Sequence, residues 1–198
     1  KHTELVSLGG SPVRAEDINE FRASVLLPSA EEEYRLEGGT DAGITLKDGR
    51  RFRLNFLKDQ QKPALVARLV PSGRLEFADL NLPSKVAEIA ETRRGLIIVA
   101  GPACSGKSTT MAAILHHINS RYPRHIVTIE DPIEFMHSDI RSLVTQREVG
   151  GDVSTFQDAL RHVVRESPDC IFIGEMRDLE TMKAAMNAAL TGHLVVTT

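Results

Sequence analysis

The hydrophobic and polar positions follow two different patterns along the chain. Between about residues 32 and 70, short apolar runs alternate with polar residues and are separated by turn signals such as Asp48-Gly49. After that pair, every second residue from Phe52 to Phe56 is apolar, which is typical of a β-hairpin strand. The pattern predicts a small antiparallel sheet of about four strands, beginning near Tyr34 and preceded by a short helix over 11–24.

The second region alternates compact apolar runs with segments of helical periodicity. The apolar runs lie at 95–100, 125–130, 140–145, 170–173 and 193–197. The helical segments lie near 84–92, 107–120, 154–164 and 179–190. This alternation predicts a largely parallel sheet that holds its ligand at the carboxyl ends of the strands. The Pro- and Gly-containing stretch between the two regions predicts a linker, and hence domains over 1–82 and 83–198.

Composition narrows the classes of protein to which this chain can belong. Its 198 residues are 41% hydrophobic, enough for one or two domains with a buried core. Lys and Arg number 24, against 27 for Asp and Glu. This balance predicts no strongly basic surface, so nucleic acid is not the expected partner. Apolar runs of about six residues are far shorter than a membrane span. Cys104 and Cys170 show no pairing pattern, which favours a soluble protein of a reducing, cytoplasmic compartment.

One stretch in the second region carries a phosphate-binding motif. After the apolar run 95–100, the chain reads G-x-x-x-x-G-K-[ST] and then enters a predicted helix. Glycines let the backbone wrap closely around a phosphate, and the N-terminal end of the helix attracts the anion. In this motif Lys107 binds the β- and γ-phosphates, and the Ser108 hydroxyl is a ligand of Mg²⁺. The predicted binding residues for ATP with Mg²⁺ are Gly101, Pro102, Ala103, Cys104, Ser105, Gly106, Lys107, Ser108 and Thr109.

Glu175 follows directly after the predicted strand 170–174. A carboxylate at that strand end can orient and deprotonate a water that attacks the γ-phosphate, which favours hydrolysis over transfer to a second substrate. Gly174 stands where an Asp usually ends such a strand, so metal binding would depend on Ser108, the phosphates and water. The alternative is that Glu175 is a solvent-exposed acid at a helix start, stabilised by the helix dipole.

A cluster of acids follows the predicted strand 125–130. Glu130, Asp131 and Glu134 stand where this buried strand ends. Such crowding suits a network of metal and water that faces the phosphates, and mutual repulsion is expected to raise at least one pKa there. The alternative is a turn in which Asp131-Pro132 only breaks the chain.

Several motifs, taken in order, resemble those of the type II/IV secretion ATPase superfamily, and most closely the type IV pilus retraction ATPase (PilT) family. The resembling segments are Arg94–Pro102, Ser105–Thr110, His125–Phe135, Gln146–Val149, Ser167–Asp169, Gly174–Thr181 and Thr191–Leu194. In the terms of the family they are similar to the Walker A loop, the Asp box, the Walker B region and the beginning of the His box. A weaker similarity over Phe52–Asn55 and Val66–Arg68 matches the small N-terminal domain of these enzymes.

The resemblance implies an α/β fold with a RecA-like P-loop NTPase core, preceded by a small α+β, PAS-like domain. It also implies a cytoplasmic homohexamer that hydrolyses ATP and moves a pilus or secretion machine through a platform protein of the inner membrane, as in twitching motility. Arg53 and Arg68 match family arginines that approach the phosphates, and His193 matches the first histidine of the His box, which senses the nucleotide state. Because the second box histidine has no counterpart before Thr198, we expect the core to be incomplete at its C-terminal end.

Three alternatives stay open on the sequence. A pilus extension ATPase or a type II secretion ATPase has the same motifs, usually with a longer N-terminal region. Ala103-Cys104 stands where the family usually has Thr-Gly, so a scaffold that binds ATP with little hydrolysis is the second alternative. A P-loop kinase or helicase is the third, and the near-neutral charge and the acidic stretch 128–134 argue against it.

Overall fold

The computed structural model describes residues 6, 7 and 9–198 of the chain. These residues form two compact units, of which the first ends at Leu69 and the second begins at Val70. Within the described ranges, no helix is both long and apolar enough to cross a lipid bilayer. The two units are described separately below.

The first unit packs two helices against a three-stranded antiparallel sheet. Its elements are α1 (Ala15–Val25), α2 (Pro28–Glu37), β1 (Gly39–Thr45), β2 (Arg51–Asp59) and β3 (Lys62–Leu69). The central strand β2 pairs with both of its neighbours. Its residues Leu54 and Phe56 are buried in a small core that Tyr34 of α2 completes, as their spacing of two predicts.

The predicted antiparallel sheet is confirmed, but its expected first strand is wrong. Tyr34 lies in helix α2 rather than in a strand, so the described sheet has three strands. Pro28 stands in the first turn of this helix, where its missing N–H removes no helical hydrogen bond. Gly38 ends the helix in the left-handed region at φ 81°. These start and stop signals outweigh the short apolar alternation around Tyr34.

The second unit is a parallel sheet with helices on both faces, as the alternation of apolar runs and helical segments predicts. Its elements are α3 (Ser84–Ala90), β4 (Gly95–Ile98), α4 (Lys107–Arg121), β5 (His125–Glu130), β6 (Leu143–Glu148), α5 (Phe156–Val163), β7 (Cys170–Ile173), α6 (Leu179–Leu190) and β8 (Leu194–Thr197). The strand order is β4-β8-β7-β5-β6, and every pairing is parallel. All these strands therefore end at one side of the sheet, which we call the carboxyl edge.

The core of the second unit lies in two layers, one on each face of the sheet. Ile126 of β5 belongs to the layer under α4, whereas its neighbour Val127 belongs to the layer under α5 and α6. Phe172 and Ile171 of β7 divide between the layers in the same way, because successive side chains of a strand point to opposite faces. A sheet covered on both faces leaves its carboxyl edge as the place where loops hold a ligand.

The stretch 70–82, which forms most of the predicted linker, packs on the second unit. Phe77 stacks on His117 of α4 with ring centroids 4.8 Å apart. The Met136 amide donates to the Pro71 carbonyl at 2.9 Å. The second compact unit therefore includes this stretch, which contacts the helix that follows the phosphate-binding motif.

Helix α6 begins with a capping carboxylate whose contribution to stability depends on pH. Asp178 accepts hydrogen bonds from the Thr181 hydroxyl at 2.6 Å and the Thr181 amide at 2.8 Å, and these bonds lower the pKa of Asp178. A lowered folded-state pKa stabilises the fold above the unfolded value, and this stabilisation is lost as the pH falls through the folded value. We therefore expect the melting temperature to fall more steeply below about pH 4 in the wild type than in Asp178→Asn, which caps without titrating. Circular dichroism melts between pH 3 and 7 test this, and parallel pH profiles would contradict it.

Candidate active site

The phosphate-binding motif forms the loop between β4 and α4. Gly106 caps α4 in the left-handed region at φ 92°, and Cys104 adopts the same region at φ 60°. A Cβ at Gly101 would lie 2.7 Å from Ser105 Oγ, so a larger residue there would require the Ser105 side chain to move. The segment from Gly101 to Ser105 is exposed. The loop is thus open to solvent, with Gly106 and Cys104 both in a backbone conformation that favours glycine.

Lys107, the first residue of α4, reaches back across the loop. Its Nζ donates to the Pro102 carbonyl at 3.0 Å, which keeps the ammonium group on the loop. Ser108 and Thr109 are exposed in the first turn, and this turn contains no acidic residue. The free N–H groups of a 15-residue helix and one lysine therefore concentrate positive potential here, which suits a phosphate group.

Glu175 and Glu130 lie along the same carboxyl edge as the loop. Glu175 follows β7 after Gly174, and Glu130 is the last residue of the neighbouring strand β5. The Gly174 amide donates to the Ile129 carbonyl at 2.8 Å, so the pairing of β7 with β5 continues to these strand ends. One strand, β8, separates β7 from β4, which places the start of the loop about 10 Å from the end of β7. The parallel topology thus brings the loop and the two carboxylates together.

The Glu175 carboxylate is paired with an exposed arginine. Its Oε1 lies 2.8 Å from Arg177 Nε in an ion pair, and the side chains of Glu175 and Arg177 are 29% and 80% exposed, respectively. Because this guanidinium is largely solvated, the pair contributes at most about 1 kcal/mol to folding. Its effect is to orient Glu175 at the carboxyl edge, where the carboxylate stays accessible to water.

Glu130 is the centre of a hydrogen-bond network. Its Oε1 accepts from the Thr128 hydroxyl at 2.7 Å and from Gln146 Nε2 at 3.2 Å, and its Oε2 accepts from the Glu134 amide at 3.2 Å. Burial raises the pKa of Glu130, and these hydrogen bonds oppose that rise. The expected pKa rise among the acids is therefore present, but its main cause is burial, with the charge of Glu134 a smaller contribution. The Glu134 and Asp131 side chains are exposed.

Two further polar residues of the network belong to the resembling segment Gln146–Val149, but the sequence alone assigned them no role in the site. Gln146 and Glu148 lie two residues apart on β6, beside β5. Glu148 is buried, and its Oε2 accepts from the Ile133 amide at 2.9 Å. The signal that could have indicated them is the pair of polar residues at alternate positions near the end of a strand next to Glu130.

His193 lies away from the other predicted site residues of this unit. It precedes β8, whereas the loop and the carboxylates follow their strands, so it stands at the opposite edge of the sheet. The four residues of β8 span about 13 Å. The His193 Nδ1 atom is 2.9 Å from the Ala188 carbonyl at the end of α6. The structure therefore does not bring His193 to the carboxyl edge.

Arg53 and Arg68 lie in the first unit, directly opposite each other on β2 and β3. Residues opposite each other in an antiparallel pair have Cβ atoms about 5 Å apart, so two cationic side chains share one face of the sheet. Asp41 Oδ2 lies 3.8 Å from Arg53 Nη2, and the Arg53 side chain is still 38% exposed. Adjacent like charges are destabilising unless an anion compensates them, which makes this pair suited to a phosphate group.

Sequence comparison identifies similar proteins over nearly the whole chain. The family model described as Type II/IV secretion system protein matches residues 28–198. A twitching motility protein of Neisseria gonorrhoeae is 41% identical over 194 residues, which are 98% of this chain and 52% of that protein. The type IV pilus retraction ATPase PilT of Pseudomonas aeruginosa is 46% identical over 156 residues, which are 79% of this chain and 45% of that protein.

Structural comparison gives the same result. The crystal structure of the pilus retraction motor PilT with bound ADP matches with a TM-score of 0.85 and 44% identity, over 92% of this chain and 53% of that one. The predicted fold class and the resemblance to the PilT family are thereby confirmed. The chain spans about half the length of the relatives that it matches.

Proposed function

This chain belongs to the type II/IV secretion system protein family, and from that premise we propose that it hydrolyses ATP to power retraction of a type IV pilus. The observation that carries the proposal is the arrangement at the carboxyl edge. There the loop with Lys107 lies on the same side of the sheet as Glu175 and Glu130. An anion-binding loop next to carboxylates that can activate water is the arrangement that phosphoryl transfer to water requires.

In the proposed reaction, the loop amides and Lys107 bind the phosphates of ATP. Glu175 orients a water and accepts its proton as the water oxygen attacks the γ-phosphorus and the bond to the β-phosphate oxygen breaks. Glu130, whose oxygens are fixed by hydrogen bonds, helps to order the water around the phosphates. Ser108, exposed in the first turn of α4, would hold Mg²⁺ together with the nucleotide, and the ion would neutralise phosphate charge.

Arg53 and Arg68 stay predicted phosphate ligands, supported by their paired position on β2 and β3. Guanidinium groups bind phosphate oxygens in a bidentate manner, and such arginines stabilise the charge that develops during transfer. His193 is left out of the reacting set, because it stands at the opposite edge of its sheet. If His193 responds to bound nucleotide, the structural change would have to be transmitted along β8, which separates His193 from the carboxyl edge.

The assembly and the cellular location that we propose rest only on membership of the family. We propose a cytoplasmic homohexamer that acts on a platform protein at the inner membrane. A phosphate-release assay and a mass measurement on the full-length protein, each with and without MgATP, test activity and assembly separately. We expect turnover that a metal chelator abolishes, and a mass close to six subunits.

Other outcomes of these measurements identify the rival functions. Nucleotide binding without phosphate release would favour a scaffold, and a stable monomer in both conditions would count against a motor. Deleting the gene distinguishes retraction from extension or secretion, because cells that lose only retraction keep their pili. Loss of the pili themselves would contradict the retraction assignment.

A further inference from the structure

We infer that Gln146 is a positioning residue, which sets the Glu130 carboxylate and the loop after β5 in the arrangement that hydrolysis needs. The inference rests on the proposed function, because it assigns Gln146 a part in the same reaction. Gln146 lies on β6 directly beside Thr128 of β5, so its side chain starts two residues before the end of that strand. It has no direct place among the predicted nucleotide ligands.

The Gln146 side-chain amide acts both as a hydrogen-bond donor and as an acceptor. Its Nε2 donates to Glu130 Oε1 at 3.2 Å and to the Phe135 carbonyl at 2.8 Å. Its Oε1 accepts from the His137 amide at 2.8 Å. A backbone carbonyl can only accept and a backbone N–H can only donate, so these partners fix which end of the amide is which. One side chain thus joins Glu130 to two points of the loop that follows it.

The rest of the loop is held by neighbours of Gln146. Glu148, on the same strand, accepts the Ile133 amide, and Glu130 Oε2 accepts the Glu134 amide. The loop from Ile133 to His137 is therefore attached to side chains of β5 and β6 at successive backbone groups. Because Glu130 is both a member of this set and a strand-end carboxylate at the carboxyl edge, a change at Gln146 moves Glu130 and the loop together.

Only a glutamine satisfies all three contacts. A glutamate would keep an acceptor for the His137 amide, but it would lose both donors and set a second carboxylate against Glu130. A lysine would donate without accepting, and an asparagine is one methylene shorter. The requirement for an uncharged group with donors and an acceptor at this length explains why an amide stands among Glu130, Glu134 and Glu148.

The test compares Gln146→Glu with Gln157→Glu in the full-length protein. Gln157 also donates to a carboxylate, Asp178, at 3.2 Å, but does so at the surface and away from Glu130. We expect Gln146→Glu to lower kcat by about tenfold to a hundredfold, whereas KM for ATP and the affinity for ADP stay within about threefold of wild type. The control Gln157→Glu is expected to leave kcat and KM near their wild-type values, because its partner Asp178 caps α6 and does not contact Glu130.

A second variant separates positioning from folding. Gln146→Met has similar length without charge, and we expect it to lose kcat as well while it still binds ADP. The inference is overturned if either Gln146 variant turns over ATP at the wild-type rate. It is also overturned if the loss of kcat is accompanied by equal losses of ADP affinity and melting temperature, which is the sign of a purely structural role. A wild-type protein that does not hydrolyse ATP would instead contradict the proposed function, and the inference would fall with it.

Discussion

Replacing Lys107 by alanine is expected to abolish measurable ATP turnover, with a loss of about a thousandfold or more, and to weaken nucleotide binding strongly. Lys107 is the cation that the loop itself contains, and its Nζ already lies on the loop through the Pro102 carbonyl. Without it, the loop would offer the phosphates only backbone N–H groups and the helix dipole, which contribute less than a full charge in contact. Titration with a fluorescent ADP analogue and a phosphate-release assay measure the two losses separately.

Lys183→Ala is the matched control for this variant. Lys183 is an exposed lysine of α6, so its removal changes the net charge by the same amount without touching the loop. We expect it to bind and hydrolyse ATP as the wild type does. Equal nucleotide affinity in Lys107→Ala and Lys183→Ala would show that the loop is an ordinary turn between a strand and a helix.

Replacing Glu175 by glutamine is expected to leave ATP binding nearly unchanged while turnover falls by about 10²–10⁴-fold. Glutamine has the same length and shape, and its amide oxygen can still lie beside Arg177 Nε, so the side chain can keep its orientation. What it loses is the basicity that accepts a proton from water. A loss confined to kcat therefore identifies a proton acceptor rather than a binding residue.

Glu180→Gln provides the control for Glu175→Gln. Glu180 is an exposed acid in the first turn of α6, which is the alternative role considered for Glu175. We expect its replacement to leave turnover intact and to affect only the stability of the helix slightly. Unchanged phosphate release in Glu175→Gln would assign Glu175 to that same helix-start role and remove it from the mechanism.

The parts of the site that sequence could predict are those that follow strands. A loop after β4, a carboxylate after β7 and another at the end of β5 all reach the carboxyl edge once the strands are parallel, whatever the details of packing. His193 shows the limit of the same rule, because a residue that precedes its strand stands at the other edge. Family resemblance grouped His193 with the site, and topology separates it.

Other features depend on contacts that no local pattern contains. Tyr34 is the exception, because its helix is bounded by the local signals Pro28 and Gly38, which outweigh the strand-like alternation of its neighbours. The raised pKa of Glu130 comes mainly from burial, which sequence spacing could not show to outweigh repulsion among the acids. Gln146 acquires its three partners only when β6 lies beside β5, because those partners are nine to sixteen residues away along the chain.

The strand that leads into the phosphate-binding motif, β4, pairs with β8, the last strand of the described sheet, so it is synthesised long before its partner. Residues 95–98 find their hydrogen-bonding partners at 194–197, after β5, β6 and β7 have been translated. At about 5–20 residues per second, a nascent chain waits roughly 5–20 s for that partner. During this interval the loop already exists as sequence, but its preceding strand has no place in the sheet. The loop after β4 therefore takes its place at the edge of the sheet late in synthesis, even though its residues leave the ribosome early.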